Sequence, residues 1–258
     1  MGGHPENTLP WIQYGIDRGV DMIHLNPQLT ADGHYVLMHD QTLNRTTNVE
    51  LVFSAGPPGG PTREQRGGKD YVGDFTLDEI RQLRVVGENI AGAYPIPTLD
   101  EALDLIDRRL LVSLGLKSYD VESLATTLEN HETRNLLLFE LYYPGTTQTK
   151  LREMADLSGL GVAVVMYGST DYLADLEAVA GQLGAHLQMV VARSKGLTPE
   201  FLGRLEDLDL HLAVSGWASN EDHALVERND PAPWLSVLEG GHSVLTSQPE
   251  AVLELLGR

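Results

Sequence analysis

Several positions carry residue types able to do acid–base or anion chemistry. His39 and Asp40 close the string VLMHD (36–40). An imidazole at a strand end, with a carboxylate beside it, can protonate a leaving group near neutral pH. The competing interpretation is a histidine that only closes a turn. Lys117 ends the apolar run LLVSLGLK (110–117) in a chain with four lysines. A desolvated ammonium there can hold a phosphate, and an ion pair with Glu140 on the next strand is equally open. His24 and Asn26 stand two apart in DMIHLN (21–26), so they share one face of a strand. Imidazole plus an amide oxygen is a poor seat for Ca²⁺ or Mg²⁺, which take oxygen ligands. A softer metal shared with His39 and an acid such as Glu140 or Glu6 is one alternative, and a hydrogen-bonded polar pair is the other.

These residues need elements to position them. From Leu110 onward the chain repeats a short apolar run, a turn and an amphipathic stretch. The runs are 110–117, NLLLFEL (135–141), GVAVVMYG (161–168), HLQMVV (186–191), LHLAVSGW (210–217) and HSVLTS (242–247). Helical patterns lie between them, such as DVESLATTLENHE, TKLREMADLSG, TDYLADLEAVAGQLG and TPEFLGRLEDLD. Continuous apolar strands alternating with helices predict parallel strands buried on both faces. With 21–26 the count is seven, one short of the closed eight-stranded form. The chain opens on a turn and the helix NTLPWIQYGIDRG, as though a first strand lay before Met1. Residues 49–73 are rich in Gly and Pro without apolar period, and predict a long insertion: a cover over a site or a mobile surface loop.

Composition narrows the partners. Acids outnumber bases 37 to 18, a net charge of −19. Such a surface repels phosphate backbones and anionic lipid, which argues against nucleic acid and membrane surfaces. No apolar run approaches the roughly 20 residues of a membrane span, and GGHPENT after Met1 has neither the basic nor the apolar part of a signal peptide. The expectation is a soluble chain, cytoplasmic if its start is genuine. With no cysteine there is no disulfide or thiolate chemistry. Walker, G-x-G-x-x-G and G-x-S-x-G patterns do not occur.

Seven strings in order resemble the glycerophosphodiester phosphodiesterase family: PENTL (5–9), DG with VLMHD (32–40), LNRTT (43–47), IPTLDEAL (96–103), LGLK (114–117), WASN (217–220) and TSQP (246–249). The resemblance implies a (β/α)8 TIM barrel over 1–258 as one domain, with an insertion after the second strand at 49–73 and the first strand absent from this chain. It implies hydrolysis of glycerophosphodiesters to glycerol 3-phosphate and an alcohol. Two histidines would act as acid and base, an arginine would bind phosphate, and Ca²⁺ or Mg²⁺ would sit on three carboxylates.

Carried over residue by residue, His39 matches the second catalytic histidine. The first, with its arginine, would stand before GGHPENT, and His4 reads as a loop histidine. Lys117, Trp217 and Glu6 fall at substrate-binding positions; Trp217 either packs on a glycerol or headgroup or sits in the core. Arg45 braces its loop. His24 and Asn26 occupy two family carboxylate positions, Gly115 the third, and Ser247 replaces a further Asp. Loss of the three carboxylates argues against ordinary Ca²⁺- or Mg²⁺-dependent turnover. Phosphodiester hydrolysis is the first expectation. A non-catalytic relative binding a phosphodiester or sugar phosphate, an interaction module, and another phosphate chemistry are the alternatives. The expected partner is a small-molecule phosphodiester, with the oligomeric state open.

Overall fold

Each of the seven apolar runs forms a strand in the computed structural model, which describes residues 1–86, 92–217 and 220–258. Ala218 and Ser219 of the WASN string lie outside the described residues. Contacts divide the chain into two units, Met1–Leu136 and Leu137–Arg258.

In the first unit, α1 (Leu9–Arg18) carries Pro10 in its first turn and stops at Gly19, whose φ of 70° supplies the left-handed cap. β1 (Met22–Leu25) is followed by Asn26, and the chain then enters a separate antiparallel hairpin, β2 (Pro27–Leu29) and β3 (Tyr35–Leu37). α2 (Val49–Val52), α3 (Leu77–Ile80) and α4 (Leu99–Ile106) follow. The two TLDE strings build capping boxes, Thr76 with Glu79 and Thr98 with Glu101. β4 (Leu111–Gly115) lies parallel to β1, with His24 opposite Ser113 and Leu25 opposite Leu114. α5 (Val121–Glu129) starts under an Asp120 cap.

The Gly/Pro-rich insertion is organised. Arg63 donates to Asp70 Oδ2 (2.7 Å) and to the carbonyls of Ser54 (2.8 Å) and Phe53 (2.6 Å). Val49, Phe53, Val72 and Phe75 at its flanks join the apolar cluster around Val36, Leu43 and Ile96. One cation thus ties the polar part of the insertion to carbonyls that no regular element would satisfy.

The second unit holds β5 (Leu136–Leu141, whose first residue closes the first unit), α6 (Thr149–Ser158), β6 (Gly161–Val165), α7 (Tyr172–Leu183), β7 (Leu187–Ala192) and α8 (Pro199–Asp207). β8 (His211–Ser215), α9 (Glu221–Arg228), α10 (Ala232–Glu239), β9 (Ser243–Leu245) and α11 (Pro249–Leu255) complete it. β5 to β9 pair in parallel in chain order. Every residue of β6 is buried, as a continuous apolar run requires when both faces are covered. Helices α9 and α10 had no clear periodic signal. They are held by Trp234, fully buried, whose indole N–H donates to Asp222 Oδ1 (3.1 Å). Among the described residues no helix is long and apolar enough to cross a membrane.

Candidate functional site

Within the first unit the carboxyl ends of β1 and β4 and the stretch after β3 bring His24, Asn26, Gly115, His39 and Lys117 together. Lys117 Nζ donates to the His39 carbonyl (2.5 Å) and lies 3.5 Å from His39 Nε2. His39 Nδ1 bonds to Asp40 Oδ1 (2.7 Å). Asp40 also accepts both arms of the Arg45 fork, Nε on Oδ2 (2.6 Å) and Nη2 on Oδ1 (3.0 Å). Arg45 reaches Glu6 Oε1 at 3.3 Å.

Charge and tautomer follow from these contacts. The Arg45 hydrogen bonds, helped by the His39 contact and opposed by partial burial, hold the Asp40 carboxyl at about 2. Asp40 is therefore ionised at neutral pH and accepts Nδ1–H, which leaves Nε2 as the imidazole's working nitrogen. Partial desolvation pulls the Lys117 ammonium below the ordinary lysine range, while Asp40 and Glu6 work in the other direction. The Asp40 bond pushes Arg45 up.

Beside this charged row lies a neutral one. Asn7, buried with a positive φ of 60°, accepts from the Asn26 backbone N–H (3.0 Å) and donates to Asn26 Oδ1 (3.3 Å). Asn26 Nδ2 meets His24 Nε2 at 3.0 Å, and His24 Nδ1 meets Ser113 Oγ at 3.0 Å. Burial, then the charges of Lys117 and His39, lower the His24 pKa to about 4. The ring is neutral at pH 7, with its Nε2 lone pair taken by the Asn26 amide.

This donor set does not fit the divalent metal that the family generally uses. A hard cation wants several oxygens, preferably carboxylates. The three positions hold an imidazole, an amide and no side chain. A Cβ on Gly115 would stand 2.4 Å from Asn26 Nδ2 and 2.6 Å from His24 Nε2, so the space of the third ligand is already filled. For the softer-metal alternative, the lone pair that would face the metal already takes the Asn26 amide. Among the described residues no group of three or more His, Asp or Glu could hold a metal ion.

The remaining candidates sort by unit. His4 packs between the rings of Tyr14 and Tyr94, a loop histidine as expected. Glu140 and Trp217 belong to the second unit. Trp217 is 65% exposed, which overturns the core alternative. At Ser247, where the resemblance implies an Asp, the neighbouring carboxylate comes from α9: Asp222 accepts from the Ser247 backbone N–H (2.8 Å) and hydroxyl (2.9 Å), and from Thr246. Asn7, Ser113 and Asp222 complete the network without a sequence signal of their own for these contacts. Asn7 belongs to the PENTL string and Ser113 stands two residues before Gly115, so position beside named residues is the one available pointer to them.

Comparison with solved structures assigns the fold class, α/β of the TIM-barrel type. A glycerophosphoryl diester phosphodiesterase from Parabacteroides distasonis aligns with a TM-score of 0.72 at 20% identity, covering 98% of this chain and 82% of that one. An Oleispira antarctica phosphodiesterase in complex with the product sn-glycerol-3-phosphate aligns at 0.69 and 17%, covering 100% and 93%. Residues 1–156 match the Glycerophosphoryl diester phosphodiesterase family, and the chain belongs to it. A glycerophosphodiester phosphodiesterase of Caldanaerobacter subterraneus is 40% identical over 118 residues, 44% of this chain and 40% of the relative. Human glycerophosphodiester phosphodiesterase 1 is 30% identical over 125 residues, 46% and 32%. The chain spans less than half of the length of each of these two curated relatives.

Proposed function

We propose that this chain hydrolyses a phosphodiester, with His39 moving the proton and Lys117 holding the anion, and that glycerophosphodiesters split into glycerol 3-phosphate and an alcohol are its substrates. The observation that carries this is the chain Arg45–Asp40–His39, which fixes the imidazole by Nδ1 and leaves Nε2 beside the Lys117 ammonium. The family and the names of the relatives support the substrate class.

Water adds its oxygen to phosphorus as the bond to the departing alcohol breaks. Imidazolium Nε2–H gives its proton to the departing alkoxide, and the attacking water releases one to solvent. Lys117 offsets the charge on the non-bridging oxygens, and its lowered pKa reflects the desolvation that strengthens this contact. Glu6, half-exposed and tied to Arg45 through one oxygen, offers the other to a glycerol hydroxyl. No step passes through Ca²⁺ or Mg²⁺, because His24, Asn26 and Gly115 do not make a seat for either.

The test is hydrolysis of glycerophosphocholine and bis(p-nitrophenyl) phosphate by metal-stripped protein, with Ca²⁺, Mg²⁺, Mn²⁺ and Zn²⁺ added back singly. Turnover without added metal that is lost in His39→Ala is the expected result. Folded protein that cleaves neither ester under any of these conditions would refute the proposal, and strict dependence on an added metal would refute its metal-free form.

A further inference from the structure

The second unit gathers three side chains just past the carboxyl ends of consecutive strands, where parallel α/β folds hold their ligands. Tyr167 follows β6, Arg193 follows β7 and Trp217 follows β8. The Arg193 guanidinium lies 5.6 Å from the Tyr167 ring centre, and the Tyr167 and Trp217 ring centres are 5.9 Å apart at 40°. Tyr167 is itself fixed, its hydroxyl donating to Ser215 Oγ (2.7 Å).

Arg193 is the unsatisfied member. Its Nε is shielded from water and has no hydrogen-bond partner, and its guanidinium makes no ion pair among the described residues. The chain carries 37 acids for 18 bases, so a cation without a carboxylate is not explained by scarcity. Glu221, a buried carboxylate of the same unit, takes the hydroxyl of Ser194. A partly buried guanidinium without an anion has lost hydration that the face of Tyr167 restores only in part. An oxyanion on the outer edge of its planar fork would supply the remainder through two parallel hydrogen bonds. Trp217 beside it gives an apolar surface on which a short carbon skeleton can lie.

We propose that Arg193, Tyr167 and Trp217 form a binding seat for a small oxyanion, a carboxylate or a phosphate group, whose carbon skeleton lies on the exposed ring of Trp217. The seat is built from second-unit residues alone. Its test is therefore independent of whether His39 turns over a phosphodiester.

The experiment is tryptophan fluorescence of the full chain with acrylamide as quencher, titrated with inorganic phosphate, glycerol 3-phosphate and succinate, and with glycerol as the neutral control. Trp217→Phe identifies the part of the signal that belongs to the seat, since Trp11 and Trp234 also emit. We expect saturable protection of Trp217 by at least one anion and none by glycerol. The anion that protects tells phosphate from carboxylate. Arg193→Gln should weaken it roughly 10- to 100-fold, the worth of a hydrogen bond to a charged group. Arg193→Lys, which keeps the charge and loses the fork, should fall between, and it replaces the Gln variant if that one does not fold. Lys117→Gln should retain the protection. Arg193 variants that titrate like wild type, protection abolished in Lys117→Gln, or no saturable response to any of the anions would each overturn the proposal.

Discussion

Gly115→Ala probes the filled ligand space directly. The added Cβ lands 2.4 Å from Asn26 Nδ2 and 2.6 Å from His24 Cε1 and Nε2, where carbon contacts settle near 3.5–4 Å. Neither neighbour is a loose end: Asn7 holds Asn26 and Ser113 holds His24. Overpacking of this kind costs roughly 1–3 kcal/mol. The backbone works the other way. Gly115 is not among the positive-φ glycines, so alanine fits the strand and stabilises by about 0.4–1 kcal/mol through the unfolded chain. The steric effect wins, leaving a net loss of about 1–2 kcal/mol. Urea unfolding followed by circular dichroism would read it as a lower midpoint at unchanged slope. The control is the same substitution in a His24→Ala, Asn26→Ala background, where the loss should vanish and the backbone gain should surface. Gly115→Ala as stable as wild type in the native background would refute the reasoning, because the amide and the ring would then be free to move aside.

Two further outcomes follow from the same geometry. His24, at about 4 when folded against an ordinary 6.5, is protonated first in the unfolded chain, so its share of stability is present above about pH 6.5 and is lost as pH falls toward 4. The difference corresponds to about 3 kcal/mol, of which about 2.5 has gone by pH 4.5. Urea unfolding at pH 7 and 4.5 should therefore show wild type losing about 2.5 kcal/mol more than His24→Gln, and parallel losses would count against the assignment; Lys117 and His39 are the charges facing the ring. In the hydrolysis assay, Asp40→Asn should lower kcat at least about tenfold, because the amide neither anchors Nδ1–H as a charge nor pairs with Arg45. Arg45→Ala should cost less, since the carboxylate stays, and a larger loss in Arg45→Ala would reverse the assigned roles.

The fold was legible because strands buried on both faces leave continuous apolar runs, and 161–165 is buried at every residue. The capping boxes at Thr76–Glu79 and Thr98–Glu101 are local devices with a fixed spacing, of the kind a sequence shows on its face. Helices α9 and α10 were not legible: what holds them is the contact of Trp234 with Asp222, twelve residues apart, and periodicity cannot see that. The change of partner after β1 is hidden for a similar reason: nothing in the run 21–26 shows that from Pro27 the chain pairs with β3 and no longer with β4. At the site, His39, Lys117 and the three altered positions were readable from the strings around them. The network that explains the alteration was not. Asn7 is nineteen residues from Asn26 and Ser113 eighty-nine from His24. Ser247 showed a carboxylate lost without showing that Asp222 supplies one from another element.

The three altered positions make sense only as a set. Two carboxylates at 24 and 26 facing a third at 115 would repel one another unless a cation lay among them. Any side chain at 115 collides with the imidazole and amide that now fill the space. Changing one position alone therefore leaves either unpaired like charges or a clash, each worth a sizeable part of a marginal stability. Together they give a buried row without net charge, in which every named polar atom has a partner from Asn7 through Asn26 and His24 to Ser113. Such a row positions β1 against β4 but cannot neutralise a phosphate. In the proposed reaction that task would fall to Lys117, whose ammonium lies 3.5 Å from His39 Nε2. On that proposal a single charge would do the work of a divalent ion's two, so the reaction should be slower than at a metal-bearing site. It should also be indifferent to chelators and sensitive to any change at Lys117.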